Sequence, residues 1–177
     1  LNSPTRLRIR HETLSGTMAA LTSGQADLAL GVALGQHLAA DIQHMALGEV
    51  PFVFVVAPQH PLAQAAEPLG DALLLQHRMV AVADSVQRGS GLTVGLQGGQ
   101  DVFTVPDMQS KLQAQLRGLG AGFLPQSLAA PHVQQGHLVV KKTDQSRLSP
   151  VHAAWRDSRL SPAGHALLWW TAQLDKP

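Results

Sequence analysis

Short apolar runs alternate along the whole chain with segments whose apolar residues recur every three or four positions. The first pattern is typical of buried strands and the second of helices. Predicted strands follow one another at Asp27–Gly31, Val50–Ala57, Met79–Ala83, Val102–Val105, Ala121–Leu124, His137–Lys141 and Val151–Arg156. Because helical segments separate most of these strands, the pattern predicts an α/β protein.

The amino-terminal segment is predicted to form a strand, a helix and a second strand. Leu7–His11 alternates apolar and polar residues, as a half-buried strand does. The hydroxyl-rich stretch Thr13–Thr17 suits the start of a helix, and Gly24 is expected in the left-handed conformation that ends one. A strand, helix and strand in this order predict parallel pairing between Leu7–His11 and Asp27–Gly31.

Four later segments are predicted to be helical. Asp107 is a good cap for a helix whose apolar positions, Met108, Leu112, Leu116 and Leu119, form one stripe that serves either the core or a subunit interface. Another helix is expected from Pro125 to Gln134. A terminal helix is expected from Ser161-Pro162 to Leu174, where Trp169 and Trp170 cannot both face inward. Asp71–Leu75 suits a short helix. The prolines at 58 and 61 argue against any helix at residues 58–63.

Composition excludes several classes of function. The length of 177 residues suits one domain or two small lobes. Only 14% of residues are charged and the net charge is +1, so the chain offers no basic face for nucleic acid. The absence of cysteine excludes disulfides, thiolate nucleophiles and thiolate metal sites. No apolar run is long enough to span a membrane, and the first residues, which resemble a loop entered from an upstream segment, do not form a signal peptide.

Several motifs in order along the chain resemble the effector-binding domain of LysR-type transcriptional regulators. No one of them is specific, but their order and spacing are. They are Ala20-Leu21 together with Gly24–Leu30, then Phe54–Ala63, Val105–Asp107, Gly118–Pro125, Gly136–Val139, Ala154–Arg156 and Ser161–Gly164.

The resemblance implies two Rossmann-like subdomains joined by two crossover strands, as in type II periplasmic binding proteins. We expect the first subdomain at residues 1–57 and 158–177 and the second at 58–157, with hinge residues Ala57, Pro58, Arg156 and Asp157. The first strand and helix of the family's first subdomain should precede Leu7 and are not found. The resemblance further implies a small effector in the interdomain cleft, a DNA-binding domain upstream, a dimer or tetramer, and a cytoplasmic location without membrane contact.

In the first subdomain, the candidate effector-binding residues are Thr13, Leu14, Ser15 and Gly16. Backbone N–H groups at a helix start, together with hydroxyls, are able to hold a carboxylate. The hydroxyls could equally do no more than cap the helix. The resembled family places effector contacts in this loop, which favours binding slightly.

In the second subdomain, the candidates are Ala83, Ser85, Val105 and Asp107, which lie at strand ends, where ligands of α/β proteins bind. Asp84 and Asp107 would repel an anion, so their favoured role is to cap helices or to close the cleft through hydrogen bonds. Phe123 is also a candidate, although its predicted strand is buried and core packing is the favoured role.

Other chemistry finds little support in the sequence. Gly118, Gly120 and Gly122 close a helix and open a strand, which is the reverse of a dinucleotide-binding turn. His132 and His137 are separated by a glycine and do not share a helix face, and a structural hydrogen bond is the better interpretation of His60. No nucleophile elbow or acid/base pair of carboxylates is visible. We therefore expect no catalytic residue, no metal and no cofactor.

The sequence thus predicts a ligand-sensing regulatory domain of a LysR-type regulator, whose effector is a small carboxylate or polar aromatic molecule. A periplasmic-type solute-binding protein for a small carboxylate is the alternative, and a signal peptide upstream would favour it. Enzymes of the same fold are a weaker alternative. A porphyrin-pathway deaminase would need a cysteine, and an aromatic dehydratase would need a defined acid/base pair.

Overall fold

The structure is a computed structural model that describes residues 6–32, 34, 39–86, 96, 98–157 and 164–174. Most of the glycine-rich stretch 89–99 and the predicted cap Ser161-Pro162 lie outside the described residues. The helices and strands are α1 Ser15–Thr22, β1 Leu28–Val32, β2 Ile42–Val56, a 3₁₀ turn Pro61–Gln64, α2 Asp71–Leu74, β3 Met79–Val82, β4 Val102–Val105, α3 Met108–Leu116, β5 Gly122–Pro125, α4 Gln126–Gln134, β6 Val139–Lys141, β7 Arg147–Arg156 and α5 His165–Leu174.

The chain divides into two compact units, Leu1–Gly48 with Pro150–Pro177, and Glu49–Ser149. Strands β2 and β7 each run from one unit into the other. Both are longer than the sequence predicted, since β2 begins at Ile42 and β7 at Arg147. The divisions therefore fall earlier along the chain than the predicted boundaries after residues 57 and 157.

The first unit is built on antiparallel pairing of β1 with β7, in which Leu28 lies opposite Trp155 and Leu30 opposite Ala153. Its small core packs the inner face of α1 onto these strands. The core residues are Leu21, Ala29, Val32, Ile42 and Ala154.

Two expectations for the first unit are wrong. Residues 7–11 form no strand, and Leu7 and Ile9 are 67% and 85% exposed. Alternation is a strand signal only where a neighbouring strand completes the ladder, and no described strand pairs with this segment. The strand after α1 pairs antiparallel with β7 rather than parallel, and its Leu30 is exposed rather than buried. No parallel strand–helix–strand unit forms here.

The second unit holds the larger core, with strands covered on both faces. Strands β3 and β4 are parallel, with Met79 opposite Val102 and Val82 opposite Val105. Strand β5 lies beside β3 and pairs antiparallel with β2, which also pairs with β6. One face of these strands packs Phe54, Leu62, Leu69, Leu74, Met79 and Phe123. The other face packs Val55, Leu112, Leu124, Ala129 and Leu138 beneath α3 and α4.

Helix α3 follows the sequence prediction closely. It begins at Met108, directly after Asp107, and ends before Gly118, which has the left-handed φ of 72°. Leu112 of the predicted stripe is buried in the core, whereas Leu119 lies beyond the helix and is 45% exposed. The prolines at 58 and 61 do not exclude helix entirely, because a 3₁₀ turn begins at Pro61, where a missing N–H is tolerated. No helix in the described ranges is long and apolar enough to cross a membrane.

Candidate functional site

Four of the predicted effector-binding residues come together at one edge of the second unit. The parallel register of β3 and β4 places the carboxyl ends of the two strands side by side, and the backbone N–H of Ala83 donates to the carbonyl of Val105 over 2.8 Å. Ser85 and Asp107 follow these strand ends directly. The edge has the position at which ligands of α/β folds bind.

The two aspartates at this edge hold local backbone. Asp107 Oδ1 accepts a 2.6 Å hydrogen bond from the Ser110 N–H and so caps α3, which confirms the capping role. Asp84 Oδ1 accepts a 3.1 Å hydrogen bond from the Val86 N–H, which closes a turn after β3. Each carboxylate thus satisfies a backbone donor that would otherwise lack a partner.

Phe123 is 8% exposed, so the core role favoured by the sequence is what the structure shows. Its ring packs edge-on against Phe54, with the centroids 5.2 Å apart. The guanidinium carbon of Arg147 lies 4.5 Å from the centroid of the same ring, a cation–π distance. Phe123 therefore connects the core to a positive charge.

The predicted loop of the first unit surrounds the start of α1. Leu14 has φ 51° and ψ −120°, a conformation that a leucine rarely adopts. The N–H of Gly16 donates to the Thr13 carbonyl over 3.0 Å, and Gly16 is buried. Thr13, Leu14, Ser15 and Gly16 are therefore contiguous at one helix end. Effector binding by this loop stays a prediction.

The four predicted hinge residues lie within the units rather than at the divisions between them. Ala57 is fully buried and Pro58 stands in the exposed turn that follows. Arg156 Nε donates to Asp41 Oδ2 over 2.8 Å, and the Asp157 N–H donates to the Asp41 carbonyl over 2.8 Å. These contacts tie the end of β7 to the first unit, which is why the division precedes them.

The sequence interpretation did not single out two cations of the second unit, Lys111 over Gly122 and Arg147 on the Phe123 ring. Lys111, on α3, is only 9% exposed, and burial together with the Arg147 charge lowers its pKa to about 8. Burial also lowers the pKa of Arg147. Neither side chain has an acidic partner within the described ranges, although ion pairs form elsewhere, as between Arg78 and Asp101.

A buried amide accompanies Lys111 on the same face of α3. Gln115 is fully buried, and neither its Nε2 nor its Oε1 has a hydrogen-bond partner among the described residues. A Cβ at Gly122 would lie 3.0 Å from Gln115 Nε2 and 3.3 Å from Lys111 Cε, so the glycine makes room for both side chains. The signal was available in the sequence, because positions 108, 111, 112 and 115 form one core-facing stripe in which two residues are polar.

One buried histidine, His60, serves local structure. His60 Nδ1 accepts a 3.2 Å hydrogen bond from the Leu62 N–H, which confirms the structural role expected for it. Burial and the proximity of His77 lower the pKa of His60. His132 and His137 stack loosely, with ring centroids 6.3 Å apart. Across the part of the chain that the structure describes, no cluster of three or more His, Asp or Glu side chains is suited to a metal.

The second unit also contains a cavity of about 100 Å³ on the α2 side of its strands. The walls combine apolar groups with carboxylate and amide side chains. They are formed by Asp71, Leu74, Met79, Leu96, Gln100, Phe123, Thr143, Asp144 and Gln145. Phe123 is the one predicted site residue that reaches this cavity.

Comparison with solved structures defines the fold class as that of the type II periplasmic-binding-protein-like regulatory domains. Full-length LysG from Corynebacterium glutamicum superposes with a TM-score of 0.69 over 97% of this chain and 57% of that one, at 20% identity. LysG with its bound effector arginine superposes with a TM-score of 0.64 over 95% of this chain and 56% of that one, at 22% identity. The MetR regulatory domain from Neisseria meningitidis superposes with a TM-score of 0.61 over 89% of this chain and 72% of that one, at 18% identity.

The family model for the LysR substrate binding domain matches residues 4–175, and the chain belongs to this family. Escherichia coli YeeY, an uncharacterized HTH-type transcriptional regulator, is 35% identical over 98% of this chain and 55% of its own length. The HTH-type transcriptional activator AllS of Klebsiella pneumoniae is 35% identical over 76% of this chain and 50% of its own.

The chain therefore spans about half the length of the curated relatives it matches. The resemblance inferred from the sequence is confirmed, as are the fold class and the expectation of a regulatory rather than an enzymatic protein.

Proposed function

We propose that this chain is the effector sensor of a LysR-type regulator, in which binding of a small molecule controls transcription through DNA-binding domains outside the chain. The observation that carries the proposal is the strand-end edge of the second unit, where Ala83, Ser85, Val105 and Asp107 converge beside the start of α3. Relatives that extend beyond this domain are HTH-type regulators, and LysG carries a bound effector, arginine.

The mechanism we propose is a shift of population. An effector that binds one arrangement of the two units better than another shifts the protein toward that arrangement, and only by the difference between the two affinities. The shift then alters how a dimer or tetramer presents its DNA-binding domains. DNA is the partner of the complete protein, which places its action in the cytoplasm. The low charge of this chain gives it no independent hold on DNA.

The experiment compares this chain with the longer protein from the same gene. A gel shift with the gene's own upstream DNA at physiological salt is expected to detect binding by the longer protein and none by this chain. A small molecule that raises the melting temperature of this chain is then expected to change DNA binding by the longer protein. DNA binding by the chain alone, or a longer protein that binds no DNA, would contradict the proposal.

The strand-end edge is tested by a substitution in the same assay. Ser85→Val removes a hydroxyl from a side chain that is exposed at the edge and leaves the core unchanged. We expect a weaker effector response in a chain that still folds. Ser127→Val, on an exposed position of α4, is the control and is expected to leave the response intact. An unaltered response in Ser85→Val would remove the edge from the site.

A further inference from the structure

The cavity of the second unit lies apart from the strand-end edge that carries the proposed function. Met79, the first residue of β3, and Gln100, two positions before β4, both line the cavity. The edge follows the opposite ends of the same strands. Because a strand rises about 3.3 Å per residue, Met79 lies roughly 10 Å from Val82 at the far end of β3. The cavity is therefore a second place at which this unit is able to hold a ligand.

The floor of the cavity is apolar. Leu74, Met79 and Phe123 line it, and all three belong to the buried core on one face of the strands. This face points away from α3 and α4, because Leu124, the next residue of β5, packs beneath those helices. The volume of about 100 Å³ is room for roughly seven to ten water-sized groups. An apolar group of that size is stabilised when it leaves water for such a floor.

Two exposed aspartates, Asp71 and Asp144, form part of the cavity wall above this floor. The backbone brings their segments together, since the Leu69 N–H donates to the Lys142 carbonyl over 2.8 Å. Asp144 Oδ2 lies 3.8 Å from the position of a Cβ built on Gly70, the residue before Asp71. Neither carboxylate has a hydrogen bond or an ion pair within the described residues. Both are therefore available to a ligand.

No basic side chain of the described residues lines the cavity. Lys141, three positions before Asp144, is only 9% exposed and is directed elsewhere. Its ammonium donates to the carbonyls of Ala63 and Ala65 over 3.3 and 2.8 Å and forms an ion pair with Glu67 at 3.2 Å. The cavity thus combines an apolar floor with two acidic groups that no cation of its own wall neutralises.

We propose that this cavity binds a small organic ammonium ion. A short apolar chain occupies the floor, and the charged nitrogen binds Asp71 and Asp144 at the opening. Hydrogen bonds between an ammonium and a carboxylate are charge-assisted, and the exposed Gln145 amide in the same wall offers a further acceptor. Such a ligand stabilises the second unit by mass action and does not require the strand-end edge.

The composition of the wall favours this class of ligand over three others. An anion would be repelled by both carboxylates. An uncharged molecule of the same size would contact the floor but gain nothing from the aspartates. Calcium takes about six to eight oxygen ligands, to which an apolar floor contributes none. Nor does any group of three or more His, Asp or Glu side chains among the described residues suit a metal.

Binding is measured by a ¹H–¹⁵N NMR titration of the chain as it stands, at pH 7 and constant ionic strength. The probe is n-butylammonium chloride, with 1-butanol, sodium butyrate and calcium chloride as comparisons. We expect saturable shifts of the Met79, Phe123 and Thr143 amides with butylammonium, at a dissociation constant in the millimolar range, as suits so small a ligand. Butanol and butyrate are expected to bind at least about fivefold more weakly, because they lack the attraction to the aspartates.

Variants of the two aspartates test the role of charge. Asp71→Asn and Asp144→Asn are each expected to weaken butylammonium binding about two- to fivefold, as exposed ion pairs do, and the double variant more than either. Butanol binding should not change in the double variant, which shows that the floor is intact. Glu49→Gln is the matched control. It removes a carboxylate from an exposed position of β2, roughly 16 Å along the strand from Phe54, and should leave the affinity unchanged.

Four results would overturn the proposal. The first is the absence of saturable shifts up to about 50 mM butylammonium, where millimolar affinity is detectable. The others are equal butylammonium affinity in the native and double-variant chains, shifts centred on Ala83 and Val105 instead of the cavity, and binding of calcium or butanol as tight as that of butylammonium. The gel shift tests the proposed function separately, so failure of either proposal leaves the other standing.

Discussion

Replacing Lys111 with methionine is expected to stabilise the ligand-free chain. Methionine keeps the length and apolar stem of lysine, so the packing over Gly122 is retained. No hydrogen bond of the ammonium is lost within the described ranges. What disappears is a buried positive charge whose pKa is lowered by burial and by the charge of Arg147.

The size of the effect follows from the pKa of Lys111. Its fall from 10.5 to about 8 on folding means that the charged side chain destabilises the fold by about 3 kcal/mol, since one unit corresponds to about 1.4 kcal/mol. This is an upper bound, because local relaxation in either chain reduces the difference. We expect Lys111→Met to raise the free energy of unfolding by about 1 to 3 kcal/mol at pH 7.

The dependence on pH provides a signature that a packing change would lack. Below pH 8 lysine is charged in both the folded and the unfolded chain, so the full difference between variant and native protein is present. Between pH 8 and 10.5 the native fold loses the charge while the unfolded chain keeps it, so the native protein gains stability relative to the variant. The two proteins should converge near pH 10.5.

The assay must report on the second unit. All three tryptophans, Trp155, Trp169 and Trp170, belong to the first unit, so their fluorescence does not follow this change. Hydrogen–deuterium exchange of the β3 and β5 amides in urea gives the required free energy of unfolding. Lys141→Met is the matched control at equal burial, and it is expected to destabilise by at least about 1 kcal/mol because it removes satisfied contacts. A Lys111→Met chain less stable than the native one, or a difference independent of pH, would refute the reasoning.

Three further predictions concern the framework of the second unit. Burial and His77 lower the pKa of His60, so the native fold resists a proton that the unfolded chain accepts. The free energy of unfolding should therefore fall as the pH drops below about 6.5. Urea titrations at several pH values check this, and His60→Asn should reduce the dependence of the unfolding free energy on pH. Asp107→Ala removes the cap of α3 and should lower the free energy of unfolding, measured by chemical denaturation, by about 1 kcal/mol, whereas Asp107→Asn should keep most of the native stability. Equal stability of the native and alanine chains would contradict the capping role. Gly120→Ala would place a Cβ 2.8 Å from a backbone carbonyl and should lower the melting temperature by several degrees, whereas Gly98→Ala, which meets nothing within 4 Å, should not.

The parts of the fold that sequence could predict are those whose signal is local. Met79–Val82 and Val102–Val105 are short apolar runs, and Asp107 followed by an apolar stripe marks a helix start. The amino-terminal half of β2 escaped prediction because its side chains are mostly exposed and mix apolar residues with polar ones such as His44 and Glu49, so no regular period reveals the strand. Its strand character comes from pairing with distant segments, which local pattern does not encode.

The candidate site divides in the same way. Strand-end positions such as Ser85 and Asp107 were identified because general rules place ligands there. Lys111 and Arg147 were not, since they are 36 positions apart in the numbering and neither belongs to a local motif. Only the fold brings Arg147 onto the Phe123 ring and buries Lys111 over Gly122.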